Sequence, residues 1–168
     1  MIINRKWAMP NKNTFDIKPI SELIEKYYCK ELYSIDPFAN KNRLATVTND
    51  LDPEMGCNYT MDAIDFLKIF EDESIDLVFY DPPFSPRQIS ECYKKMGMSV
   101  NKETTQSSFW SNLKKEIKRI VKKDGIVLTF GWNSNGIGKT NGFEMVELLL
   151  VAHGGSHNDT ICTIEKKL

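Results

Sequence analysis

The sequence is poor in the residues that build metal sites and disulfide scaffolds. Its four cysteines, Cys29, Cys57, Cys92 and Cys162, are dispersed and form no Cys-x-x-Cys pair. Neither a zinc site nor a disulfide framework is expected, and the four read as reduced thiols of a cytoplasmic protein. There are two histidines, His153 and His157. No partner set completes a metal centre around them, and they read as part of a hairpin loop, so no metal is expected. No apolar run approaches the ~20 residues that span a bilayer, so no membrane association is expected. Residues 1–6 lack the apolar centre of a secretory leader, and none is expected. A strong charge of either sign is also missing: 22 basic and 23 acidic residues leave a net charge of -1. That excludes a general polyanion binder and requires any nucleic-acid contact to use a local basic patch. Internal repeats and low-complexity segments are absent.

What is present is an ordinary globular composition, 41% hydrophobic and 27% charged over 168 residues. One domain over residues 1–168 is expected, large enough to bury roughly two-thirds of its unfolded surface without staples. Residues 1–13 are polar, carry Pro10 and read as a loose arm. Helical spacing of Leu23, Ile24, Tyr27 and Tyr28 after Ser21 as N-cap predicts a helix over residues 21–30. Short apolar runs at 32–35 and 44–47 and a segment around 57–60 predict strands. Residues 62–70 predict an amphipathic helix. The continuous run Ile75-Asp76-Leu77-Val78-Phe79-Tyr80 predicts a strand buried on both faces. Residues 85–106 read as a mobile substrate loop. A helix over 108–123, a strand over 126–130 and a hairpin formed by 143–152 and 159–164 complete the chain. Strands alternating with helices predict an α/β fold with a mainly parallel sheet, to which the C-terminal hairpin adds an antiparallel strand.

The chemistry gathers at strand ends, where open α/β sheets bind ligands. Asp36-Pro37-Phe38-Ala39, Asn49-Asp50-Leu51, Asp62-Ala63 and Asp81-Pro82-Pro83-Phe84 each follow a predicted strand. A lone Asp-Pro is usually a turn; four acidic turns at successive strand ends are harder to explain that way. At these residues the chain resembles the nucleic-acid amino-methyltransferases, adenine-N6 DNA methyltransferases above all, whose signature is (Asp/Asn/Ser)-Pro-Pro-(Tyr/Phe/Trp). The resemblance covers residues 14–130 and implies a Rossmann-like class I methyltransferase fold with S-adenosylmethionine as cofactor. It implies cofactor contacts from Phe15, Ile17, Lys18 and Pro19 before the first helix, and from Asp36, Pro37, Phe38, Ala39 and Asn40 after the first strand. Asn49, Asp50 and Leu51 would hold the ribose, and Asp62 and Ala63 the adenine. Asp81, Pro82, Pro83 and Phe84 would be catalytic. It also implies DNA as the partner, with RNA open and the oligomeric state undetermined. Phe84, Ser85, Arg87, Lys94 and Lys95 are the expected substrate contacts, because they follow the amine site directly.

The residue types suit that reaction. An exocyclic amine on an aromatic base is a poor nucleophile because its lone pair is delocalised into the ring. Asp81 can accept one N–H and the Pro82 carbonyl the other, which frees the lone pair through placement and polarisation. Two prolines stiffen the turn and donate no N–H. Phe84 offers a ring for an extruded base. One departure from the family pattern stands out: its glycines in the first turn are replaced by Asn40-Lys41-Asn42. Asparagine is the next best residue for a left-handed turn, but it narrows the space beside a cofactor. That departure keeps open a non-catalytic nucleic-acid-binding subunit, and an RNA adenine-N6 or guanine-N2 enzyme is the alternative within the enzyme class. Asn133-Ser134-Asn135-Gly136-Ile137-Gly138-Lys139-Thr140 looks like a phosphate loop but lacks the first glycine and leads into a strand. The lysine-rich residues 114–123 read as a solvated face, and Trp110 and Trp132 as core.

Overall fold

A computed structural model describes residues 1–99 and 107–168. Eight strands form one sheet: β1 (Ile2–Trp7), β2 (Ser34–Asp36), β3 (Val47–Asp50), β4 (Tyr59–Thr60), β5 (Ile75–Tyr80), β6 (Val121–Gly131), β7 (Phe143–Ala152) and β8 (Thr160–Lys167). Their order is β1-β7-β8-β6-β5-β2-β3-β4. Every pairing is parallel except those of β8, which runs antiparallel between β6 and β7. The antiparallel strand therefore lies inside the sheet, and β7 returns beyond it to the common direction. Among the described residues the α-helices are α1 (Lys18–Tyr27), α2 (Ala63–Lys68), α3 (Pro86–Lys95) and α4 (Ser107–Ile120). No helix among the described residues is long and apolar enough to cross a membrane.

The sheet buries both faces. Leu77 and Phe79 of β5 pack with Ile20, Leu23 and Ile24 of α1. Val78 and Tyr80, pointing the other way, pack with Phe66 and Leu67 of α2, Ile89 of α3 and Leu113 and Ile117 of α4. This explains why β5 reads as an unbroken apolar run. Each of these fully buried side chains contributes about 1.5–3 kcal/mol. From β2 the chain steps outward to β3 and β4, then crosses back to place β5 on the other side of β2. The crevice beyond the carboxyl ends of β2 and β5 is the topological switch point.

Several elements differ from the sequence reading. Residues 2–7 are an edge strand, not a loose arm. All six residues of β1 are exposed, so no burial alternation marks it; its register comes from the main-chain ladder to β7 and from Glu147. That buried carboxylate accepts from Asn4 Nδ2 at 3.0 Å, Lys26 Nζ at 2.6 Å and Tyr27 Oη at 2.6 Å, tying β1 and α1 to β7. Helix α1 starts three residues early: Pro19 fills its first turn, and the Ser21 hydroxyl donates to the Lys18 carbonyl rather than capping. Within the expected 85–106 loop, residues 86–95 are helical, capped by Ser85 Oγ accepting from the Gln88 amide at 3.2 Å. Its apolar contribution is mainly Ile89 and Tyr93, too sparse a stripe to read. Residues 100–106 of that loop lie outside the described residues. Helix α4 gives way at Val121 directly to β6.

The phosphate-loop look-alike closes on the protein itself. The Ile137 and Gly138 amides donate to the buried Glu165 carboxylate at 2.5 and 2.9 Å. Gly136 has φ +53°, and a Cβ there would lie 2.2 Å from a Glu165 oxygen. The nest is real, and its anion is an internal side chain. His153 is a latch: its Nδ1 donates to the Ala8 carbonyl at 2.8 Å and its Nε2 meets Thr160 Oγ1 at 2.8 Å.

Burial pushes the Glu147 carboxyl upward, but its bonds to Lys26, Tyr27 and Asn4 outweigh this and leave it below the ordinary 4.5. A depressed carboxylate adds stability above its unfolded pKa and loses it as the pH falls through the folded value. Glu147→Gln is expected to cost about 2 kcal/mol at pH 7. Denaturant titration at pH 7 and again below about pH 4 checks this, the difference shrinking at the lower pH.

Candidate active site

The switch-point crevice opens into a cleft of about 460 Å³, within the range of ligand sites. Its walls come from the turns after β2, β3, β4 and β5, with α3 along one side. The Asn49 side chain holds three of these turns together. Its Nδ2 donates to the Pro37 carbonyl at 3.1 Å and the Met61 carbonyl at 3.0 Å, and its Oδ1 accepts from the Met61 amide at 3.2 Å. Asn49 lines the cleft but is 1% exposed, and its amide is engaged by the scaffold. Asn40 takes φ 50°, the left-handed turn its residue type allows, and its amide donates to Asp50 Oδ2 at 2.9 Å. Asp50 Oδ1 accepts from the Asp52 amide at 2.9 Å. Each Asp50 oxygen keeps a second lone pair for a ligand hydroxyl.

Asp81, Pro82, Pro83 and Phe84 line the floor of the cleft. Asp81 Oδ1 is buried and has no hydrogen-bond partner among the described residues. Burial pushes its carboxyl from the ordinary 3.8 up to about 7, with the Thr14 hydroxyl holding it partly down. The Pro83 carbonyl is occupied by Trp110 Nε1 at 3.0 Å, so Trp110, packed against the core, also braces the turn. The Pro82 carbonyl has no partner among the described residues. Two acceptors are thus left open side by side in a stiff corner. Phe84 is fixed by its amide donating to Gln88 Oε1 at 2.6 Å. Its ring lies 5.2 Å from that of Trp132, which is 41% exposed and not a core residue.

The acidic turns differ in what they leave free. Asp36 is buried and accepts from the Phe38 amide at 3.0 Å; burial, aided by the nearby Asp81 and Asp50, holds its carboxyl well above the ordinary range. Asp62 caps α2 through Oδ1, accepting from the Ile64 amide at 2.8 Å, and accepts the Tyr93 hydroxyl on Oδ2. Lys95 bridges to Asp52 at 2.5 Å, so its charge straps α3 across the cleft. Pro37, Phe38, Asn40, Leu51 and Ala63 line the same cleft. Phe15, Asp36 and Ala39 line a second cavity of about 150 Å³, which shares Thr14, Phe38, Asn40 and Asp81 with the first.

Other expected residues lie elsewhere. Ile17 is packed in the core, and neither it nor Lys18 or Pro19 lines either cavity. Phe15, though it lines the second cavity, is wedged between Phe79 and Phe130, at centroid distances of 5.5 and 4.8 Å. Ser85 caps α3, Arg87 pairs with Glu91 on the same helix, and Lys94 is exposed; none of the three lines the cleft. Sequence reasoning missed Met61, Gln88 and Tyr93, all of which do, as does Thr14 at the start of the expected cofactor segment. The i, i+4 pair Ile89 and Tyr93 was the available signal for α3.

No family model matches the sequence, and no curated protein matches it significantly. Solved structures share its fold. TrmN from Thermus thermophilus matches with a TM-score of 0.57 at 15% identity, over 90% of this chain and 49% of that one. The 1,6-didemethyltoxoflavin-N1-methyltransferase of Burkholderia thailandensis, solved with 1,6-didemethyltoxoflavin and S-adenosylhomocysteine bound, matches with a TM-score of 0.58 at 9% identity, over 89% and 77%. An S-adenosylmethionine-dependent methyltransferase from Archaeoglobus fulgidus matches at 0.55 and 12%, over 89% and 94%. The chain spans about half the length of TrmN. Likenesses at this identity carry the fold alone, and on that ground the chain has the α/β fold of the class I methyltransferases.

Proposed function

We propose that the protein is an S-adenosylmethionine-dependent methyltransferase acting on the exocyclic N6 amine of adenine in DNA. The observation that carries the reading is the corner after β5: a buried Asp81 oxygen followed by the Pro82 carbonyl, neither with a partner among the described residues. An amine with two hydrogens satisfies both acceptors. The nucleic-acid part rests on the Asp-Pro-Pro-Phe sequence and on the Phe84 ring beside it. Asp in the first motif position favours adenine over cytosine within the resembling families.

The residues present fit the cofactor. The cleft is acidic, which suits a cationic sulfonium, and its volume suits a nucleoside. Asp50 would hold ribose hydroxyls, Phe38, Leu51 and Met61 would face the adenine, and the second cavity beside Asp36 would take the amino-acid end. When bound, S-adenosylmethionine supplies an electrophilic methyl group. The chain's own residues do the rest. Asp81 and Pro82 orient the amine and draw its hydrogens out of conjugation. Asp81 takes the proton that nitrogen releases when the methyl arrives. Phe84 stacks on the base, and in a duplex that base must first leave the stack.

Mass spectrometry of nucleosides after incubation with cofactor and either DNA or RNA tests the reading. N6-methyladenine in DNA is the expected product; label in RNA alone overturns the DNA assignment. Asp81→Asn should lower transfer at least about 10²–10³-fold. The same variant should melt higher than the wild type at pH 8. Between 3.8 and about 7 the folded chain holds a proton on Asp81 that the unfolded chain has released, so ionising it lowers stability as the pH rises across that window. Differential scanning calorimetry at pH 8 measures the gain.

Ionised Asp81 is the stronger acceptor and the form that can take the proton released by nitrogen, so kcat/KM for the wild type should fall below about pH 7. Thr14→Val removes the hydroxyl that holds the carboxyl down and should move this limb to higher pH. An unshifted limb in that variant would separate the profile from Asp81.

A further inference from the structure

The carboxyl end of the sheet carries more than the methyl-transfer corner. Gly131 of β6, Ile161 of β8, Leu150 of β7 and Arg5 of β1 lie on one row across four neighbouring strands. Trp132 is one residue beyond this row and Trp7 two residues beyond it, so both indoles belong to the same rim. Three strand spacings of about 4.8 Å put them roughly 14 Å apart across the sheet. Trp7 is 65% exposed. Arg5 and Lys6 beside it are exposed, and neither joins an ion pair among the described residues. Between the two tryptophans lies the turn after β7, where Gly154 and Gly155 have φ of 70° and 59°. A Cβ at Gly154 would lie 3.5 Å from Trp7 Nε1. That is ordinary contact, and at Gly155 a Cβ would meet nothing; it is the positive φ of this turn that calls for the two glycines.

We propose that this rim is a track for an unpaired nucleic-acid strand, with one base at Phe84 and Trp132, a second stacked on Trp7, and phosphates held by Arg5 and Lys6. The proposal rests on the nucleic-acid reading of the Asp81 corner and narrows its substrate class to single strands or splayed-out segments. The chemistry is that of single-strand binding: exposed aromatic rings take base faces, which a duplex hides, and nearby cations take the backbone. The net charge of -1 fits a local track better than a general polyanion surface. Phe84, which lines the cleft, meets Trp132 with centroids 5.2 Å apart and planes at 53°. The edge position of β1 explains why an exposed tryptophan is held in place: the strand is fixed to β7 along its length while its side chains stay out of the core.

Fluorescence anisotropy with a labelled adenine-containing oligonucleotide, read without cofactor, tests the track. The wild type should bind the single strand more tightly than the same sequence as duplex. Trp7→Ala should weaken single-strand binding about tenfold, and Trp7→Phe should restore most of it. Arg5→Ala and Lys6→Ala should each reduce the slope of log affinity against log salt by about 0.7. Lys118→Ala removes one charge at the opposite end of the sheet and should leave affinity unchanged. Equal binding of duplex and single strand, wild-type affinity in Trp7→Ala, or a loss in Lys118→Ala as large as in Lys6→Ala would overturn the proposal. Binding without methyl transfer would sink the catalytic reading and leave the track standing; transfer with an unaffected Trp7→Ala would do the reverse.

Discussion

The buried side-chain amide of Asn49 is the interaction on which the cleft depends. It joins the turns after β2, β3 and β4, whose strands are too short to fix their own loops: β2 has three residues and β4 two. With donors and acceptor all paired, the amide avoids the cost of a buried unsatisfied group, about 1–3 kcal/mol. In return the three turns present Phe38, Asp50 and Met61 to one space. Its removal would free the turns to move independently, although the large sheet behind them would persist.

On the other side of the switch point the strategy is stiffness. The Asp81 turn has two prolines, a capped helix immediately after it and the Trp110 indole on the Pro83 carbonyl. Such a turn can keep Asp81 Oδ1 unpaired among the described residues because there is little freedom left to relax toward a partner. An unsatisfied buried carboxylate is destabilising, and its persistence beside a cleft is the usual mark of a functional group.

Legibility in the sequence followed the physics of each element. Strand β5 and the Asp81 corner were plain, because a run buried on both faces and a Pro-Pro stop leave strong local signals. The left-handed Asn40 was anticipated from its residue type, as was the terminal hairpin. Strand β1 was invisible, since an edge strand with every side chain exposed has no periodicity to read. Helix α3 was hidden by polarity, its core contribution resting mainly on Ile89 and Tyr93. The roles of Asn49 and Asp62 were obscured for a different reason: their side chains serve partners distant in sequence, Pro37, Met61 and Tyr93. Nor does local sequence show that the glycine-rich nest at 136–138 faces Glu165, 27–28 residues away.

The position of β8 has a consequence for assembly. The pair β1–β7 touches the rest of the sheet only through β8, a strand synthesised after every strand it joins. Until β8 inserts, β6 and β7 each expose an unpaired edge, and β1 and β7 have no sheet to extend. The nascent chain must therefore hold two separate partial sheets apart and close them with its last described strand. Such non-local closure slows folding and prolongs the exposure of unpaired edges, so the chain is most vulnerable to aggregation before β8 inserts.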